Sequence, residues 1–110
     1  MATYEKALEA LADGTRRSVF ELLRAGPCSV SDLAAVLPVS RPAVSQHLRV
    51  LKAAGLVQER PMGTRRIYSI RAAGLQALRN YIDGFWDDVL AAFKEEVEAD
   101  GKPARRRKQT

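Results

Sequence analysis

The sequence predicts a mainly α fold carrying one small β-hairpin, and three observations predict it. Apolar residues recur at three- and four-residue spacing through four short segments and one long one. Two alternating runs, Leu56–Arg60 and Arg65–Ile70, flank Pro61-Met62-Gly63-Thr64. Between the segments stand the residues that start and stop helices.

The first helix is expected from Tyr4 to Leu11, with Tyr4, Ala7, Leu8 and Leu11 on one side. Asp13-Gly14-Thr15 breaks it, and Asp13 or Thr15 can cap a second helix running to about Arg24. Val19, Phe20, Leu22 and Leu23 give that helix its apolar side, and Ala25-Gly26-Pro27 ends it. Ser29 or Ser31 can cap a third helix, Val30 to about Leu37, with Leu33, Val36 and Leu37 inward. Pro38 has no N–H to continue it. Ser40 starts a fourth helix in which Pro42 is tolerated in the first turn. Val44, Leu48 and Leu51 form its buried stripe, and Gly55 stops it. The two alternating runs make a two-stranded hairpin with Gly63 at its tip. A fifth helix is expected from about Ala72 to Val97, with Leu75, Leu78, Ile82, Phe85 and Val89 as its stripe, widened by Trp86, Leu90 and Phe93.

The chain has 110 residues, enough for one domain with a modest core. We expect that domain over residues 1–100 and a disordered basic tail over 101–110, which has no core former. No apolar run approaches the ~18 residues of a membrane span. The N-terminus lacks the basic-then-apolar pattern of a secretory signal. Cys28 is the only cysteine, so no internal disulfide and no cysteine cluster for a metal is possible within one chain. A cytoplasmic protein with no membrane partner is the expectation.

Charge is unevenly spread. The net +5 hides a segment, residues 41–79, with eight basic residues against Glu59 alone. Residues 83–100 reverse this, with seven acids against Lys94. The positive middle is the expected contact for a polyanion. No nucleotide loop, nucleophile elbow or His-acid motif is present, and Asp87-Asp88 are adjacent helix positions pointing apart, so no enzyme is expected.

Two helices joined at Pro38-Val39, the second with a polar and basic outer face, form a helix-turn-helix, and the hairpin beside it is a wing. The predicted architecture is therefore a winged helix-turn-helix of five helices with a two-stranded wing, dimerising through its terminal helices. The recognition helix fits the major groove of double-stranded DNA. Its candidate contacts are Ser40, Arg41, Pro42, Ser45, Gln46, His47, Arg49 and Lys52. Arg bonds guanine and Gln bonds adenine in bidentate fashion, so Arg41, Ser45 and Gln46 are expected to read bases. Arg49 and Lys52 are expected on phosphate. The wing contributes Arg60, Gly63, Thr64, Arg65 and Arg66, and the start of the second helix Thr15, Arg16 and Arg17, where free N–H groups could hold a phosphate. His47 more readily packs near the turn than touches DNA, and Cys28 reads as a small, partly buried residue.

The long last helix is more apolar than one small core can cover. Leu78, Ile82, Phe85, Trp86, Val89 and Phe93 are expected to meet a second copy, with Tyr4, Leu8 and Leu11 completing the face. A two-fold dimer would select a near-palindromic operator. The rival reading is a winged-helix protein-interaction module that does not read DNA sequence, but it leaves the basic segment unexplained.

The run Ser29-Val30-Ser31-Asp32-Leu33-Ala34, followed by Ser45-Gln46-His47-Leu48-Arg49-Val50-Leu51-Lys52-Ala53-Ala54-Gly55-Leu56-Val57 and a wing, resembles the ArsR family of bacterial regulators. Asp13-Gly14-Thr15-Arg16-Arg17 resembles that family's opening of the second helix. The resemblance spans roughly residues 4 to 97 and implies a winged-helix dimer that represses by occupying an operator. Many members sense metals through a Cys-Val-Cys-Asp-Leu run in the third helix, where this chain has Ser29-Val30-Ser31-Asp32-Leu33. Hydroxyls are poor ligands for soft metals. The other common site uses His on the terminal helix, which has none here. The resemblance therefore implies the metal-free, SdpR-like subgroup, with no metal or cofactor, a repressor or autorepressor function, and an unknown effector.

Overall fold

The structure is a computed structural model that describes residues 3–100. The expected tail, 101–110, lies outside the described residues. The order is α1 (Thr3–Ala12), α2 (Gly14–Leu22), a 3-10 turn (Leu23–Ala25), β1 (Cys28–Ser29), α3 (Val30–Val36), α4 (Arg41–Ala53), β2 (Val57–Met62), β3 (Arg65–Ile70) and α5 (Ala72–Asp100). The five helices and the hairpin stand where the sequence places them. The chain divides into two compact units, Met1–Arg79 and Asn80–Thr110.

In the first unit the core is drawn from every helix before the hairpin and from β2. Ala7, Val19, Leu23, Leu33, Val44, Leu48, Leu51, Leu56 and Val57 are buried together. Each comes from the apolar side that the spacing predicts, and burial of a Leu or Val contributes about 1.5–3 kcal/mol. Leu11 packs against this core rather than standing free, whereas Leu8 is exposed and Tyr4 half-buried. Val36 was expected inward and is 65 % exposed. Pro38 disfavours helical geometry at Leu37, which is extended (φ −103°, ψ 144°), so α3 stops before Val36 can turn under it.

The sheet has three strands, not two, in the order β1-β3-β2. Cys28 and Ser29 pair antiparallel with Tyr68 and Ile67. A two-residue strand is too short to show alternation, which is why the sequence conceals it. The hairpin is also tighter than expected. Pro61 and Met62 pair with Arg66 and Arg65, leaving only Gly63-Thr64 as the turn. Proline lacks a donor for a ladder but sits here on β2, an outer strand, where none is needed. Gly63 has φ +65°, and a glycine in that conformation at the first of two turn positions suits a hairpin's twist.

Two local devices fix the helix starts. Asp13 caps α2, accepting the Arg16 N–H at 2.8 Å. Ser29 and Asp32 form a capping box at α3: Ser29 Oγ accepts the Asp32 N–H at 3.1 Å, and Asp32 Oδ2 accepts the Ser29 N–H at 3.0 Å. Both carboxyls are held below the usual range, first by these backbone donors. Ser29→Ala is expected to lower stability by about 1–2 kcal/mol, read as an earlier urea midpoint with an unchanged slope. An unchanged midpoint would show the box to be dispensable.

The first turn of α5 approaches the loop after α4 closely. The Arg71 N–H donates to Leu56 O at 2.9 Å. A methyl group at Gly74 would overlap the Gly55 carbonyl oxygen and stand 2.7 Å from its carbonyl carbon.

In the second unit α5 continues to Asp100, three residues beyond the expected end. Ile82, Phe85, Trp86, Val89, Leu90 and Phe93 are exposed along it, and Phe85 is 64 % exposed. Leu78, before the boundary, is half-buried. No helix among the described residues is long and apolar enough to cross a membrane.

Candidate nucleic-acid interface

α4 is positioned by both its ends and its stripe. Ser40 Oγ accepts the Ala43 N–H at 3.2 Å, Pro42 occupies the first turn, and Val44, Leu48 and Leu51 are fully buried. That stripe leaves Arg41, Pro42, Gln46, Arg49 and Lys52 exposed and Ser45 half-buried. The helix thus presents the polar and basic side expected of it.

The side chains on that side are pre-arranged. Arg41 reaches back across the turn and donates to Ser31 Oγ at 2.8 Å, tying the two helices of the motif. Arg49 donates to Gln46 Oε1 one turn away. Gln46 was assigned to bases and Arg49 to phosphate; the structure couples them. Gln46 must release Arg49 to offer its oxygen and nitrogen together to an adenine edge. His47, for which packing near the turn is the favoured expectation, is half-buried. Its Nδ1 edge is enclosed, lacks a hydrogen-bond partner and lies 4.0 Å from Asp13 Oδ2 at the start of α2.

The wing arginines divide by strand alternation, neighbours pointing to opposite faces. The Arg65 guanidinium donates to Ser29 Oγ at 2.9 Å and approaches Asp32 Oδ2 at 3.3 Å, so it fastens the wing to the start of α3. Arg66 pairs with Glu59, which also stands 3.6 Å from Lys52 Nζ. Tyr68 stands directly opposite Glu59 in the ladder. Tyr68, then Lys52 and Arg66, hold the Glu59 carboxyl below its usual range against the opposing effect of burial. Arg60, Gly63 and Thr64 are exposed, and among the described residues Arg60 has no ion-pair partner.

The start of α2 differs most from expectation. Arg16 Nε donates to Ala10 O at 2.7 Å and Arg17 to Leu11 O at 2.6 Å, so both guanidinium groups cap the C-terminus of α1. The Asp13 carboxylate already accepts the Arg16 N–H, one of the N-terminal groups that a phosphate would need. Thr15 is exposed in that first turn.

Sequence reasoning missed Ser31, Asp32, Glu59 and Tyr68 as organisers of this surface. The Ser29-x-x-Asp32 spacing was a readable cap signature. The lone acid in a basic segment was noticed only as a count. Cys28 is half-buried, and burial followed by the Asp32 charge pushes its thiol up, so it is protonated near neutral pH. The hydroxyls that replace the expected family thiolates both have partners: Ser29 caps α3 and Ser31 takes Arg41. Among the described residues no three His, Cys, Asp or Glu side chains converge to hold a metal.

A short helix, a turn and a longer helix with a basic outer side, flanked by a basic hairpin, define a winged helix-turn-helix transcriptional regulator. A family model described as a helix-turn-helix domain matches residues 11–60. The chain is 52 % identical over 104 residues to the HTH-type transcriptional regulator Rv2034 of Mycobacterium tuberculosis, covering 92 % of this chain and 97 % of that one. It is 32 % identical over 77 residues to the transcriptional repressor SdpR of Bacillus subtilis, covering 70 % and 86 %. Among solved structures it resembles the homodimeric winged helix-turn-helix DNA-binding domain Mb0332 of Mycobacterium bovis, described as a possible ArsR-family regulator. That match has TM-score 0.63 and 29 % identity, covering 78 % of this chain and 80 % of that one. The chain belongs to the ArsR family of transcriptional regulators. Its relatives are regulators rather than enzymes.

Proposed function

We propose that this protein is a homodimeric repressor that reads a near-palindromic operator in double-stranded DNA through α4. The observation that carries the reading is the exposed Gln46–Arg49 pair beside Arg41, on a helix whose opposite side is locked into the core. Arg60 and Arg66 of the wing supply phosphate contacts, Arg65 sets the wing's position, and Arg16 and Arg17 act structurally. Two relatives support the rest: SdpR is named a repressor, and Mb0332 is described as homodimeric. A second copy covers Ile82, Phe85, Trp86, Val89 and Phe93 of α5, and two α4 helices then meet one duplex. Regulation is not of the usual metal-sensing type, because both family thiolates are hydroxyls with other partners. The protein's own promoter is the first duplex to test, since autorepression is the expected circuit.

Selection of bound duplexes from a random pool, followed by titration in rising salt, tests the reading. Log affinity is expected to fall steeply and linearly with log salt. Gln46→Ala should relax base choice at one operator position, at a cost of about 1–3 kcal/mol, while Arg66→Ala weakens all sequences alike. Failure to enrich any sequence, or a flat salt response, overturns the proposal.

A further inference from the structure

The geometry points to Glu59 as a specificity-determining residue: an acid built into the DNA face that tempers Lys52 and Arg66 and so suppresses attachment to arbitrary duplexes. The inference rests on the DNA-binding reading above and deepens it.

Glu59 is the one acid among residues 41–79, beside eight basic residues. It is placed where it meets them. Lys52 comes from the last turn of α4 and Arg66 from β3, so cations from two elements converge on one carboxyl. Its position is asymmetric. The Glu59 side chain is 18 % exposed, whereas Lys52 and Arg66 are 52 % and 64 % exposed. The acid lies beneath its cations, with Tyr68 directly opposite it in the ladder.

The electrostatic consequence is direct. A free cation that meets a phosphate releases about 0.9 of a counterion. A cation already sharing a carboxylate contributes less, and the carboxylate repels the phosphate that approaches. Two cations over one fixed acid therefore act as roughly one positive charge. They keep a defined position and gain less from any passing phosphate. Base contacts from α4 are untouched, so the ratio of cognate to random binding rises even as total attraction falls. Arg60, on the same strand but without an ion-pair partner among the described residues, is the internal comparison.

The test is Glu59→Gln, which keeps the shape and removes the charge. Binding is measured by fluorescence anisotropy across a salt series, on a random 30-base-pair duplex and on a duplex selected with the unaltered protein. E59Q is expected to bind the random duplex about fivefold more tightly near physiological salt. Its log–log slope should steepen by about 0.9, and its preference for the selected duplex should fall. An unchanged or shallower slope overturns the inference and leaves Glu59 a structural residue only. Arg66→Gln and Arg60→Gln keep the question open to decision should E59Q not fold. Arg66→Gln must lower the slope clearly less than Arg60→Gln, and equal losses overturn the inference. If the unaltered protein binds neither duplex in a salt-dependent way, the DNA-binding reading itself fails, a result distinct from both.

Discussion

Phe85→Asp is expected to convert the proposed dimer into monomers, read as a halved mass in sedimentation equilibrium. Phe85 is 64 % exposed on α5, within an apolar stripe that includes Ile82 and Val89 at helical spacing. Such a stripe in water costs free energy that a second copy removes. An aspartate there enters a desolvated seam, and a two-fold axis repeats the charge on the partner. An ionised carboxylate without a partner in an apolar setting costs several kcal/mol, enough to abolish a modest association. The folded monomer should survive, since Phe85 is exposed within one chain, and circular dichroism should retain the helical signal. Operator affinity should collapse as well, because a single α4 then meets only one half-site. A dimer of unchanged mass would place the interface elsewhere.

The second large effect lies at Gly74. Alanine in a helix ordinarily stabilises by about 0.5–1 kcal/mol relative to glycine. Here the sign reverses. The added methyl meets the Gly55 backbone, not a flexible side-chain end, and Gly55 is itself held at φ +81°. Relief requires α5 and the loop after α4 to part, breaking the Arg71-to-Leu56 hydrogen bond at 2.9 Å. Overpacking of this kind costs about 1–3 kcal/mol or more, so Gly74→Ala should lower the melting temperature by roughly 5–10 °C. Gly74→Val should prevent accumulation of folded protein. Gly84, in the same helix with nothing within 4 Å of a would-be methyl, is the control. Gly84→Ala should hold or raise the melting temperature. A stable Gly74→Ala would mean that the close approach is not needed.

The legible part of this fold was the part governed by periodicity. Val44, Leu48 and Leu51 announce the buried side of α4, and Ser40-x-Pro42 its start, because helical spacing and caps are local properties. β1 was invisible: two residues carry no alternation, and their strand character comes from Tyr68 and Ile67 far along the chain. The candidate site followed the same rule. Which residues lie on the outer side of α4 could be read from spacing. What each guanidinium holds could not, since Arg16, Arg17, Arg41 and Arg65 spend donors on groups that only folding brings near. The spacing of His47 suits either neighbour, α2 or the groove, and only the fold sets its Nδ1 beside Asp13. Gly74 carried a usable sign, a glycine just inside a helix start, but its cause is a backbone approach from Gly55.

Pro61 on β2 has one more effect. Because it offers no amide hydrogen, an incoming extended segment from another molecule finds the ladder interrupted there. The opposite border, Cys28–Ser29, is too brief to template anything. Fibril-like stacking of these molecules at high concentration is thereby discouraged by the backbone alone, leaving side-chain contacts to govern which copies associate.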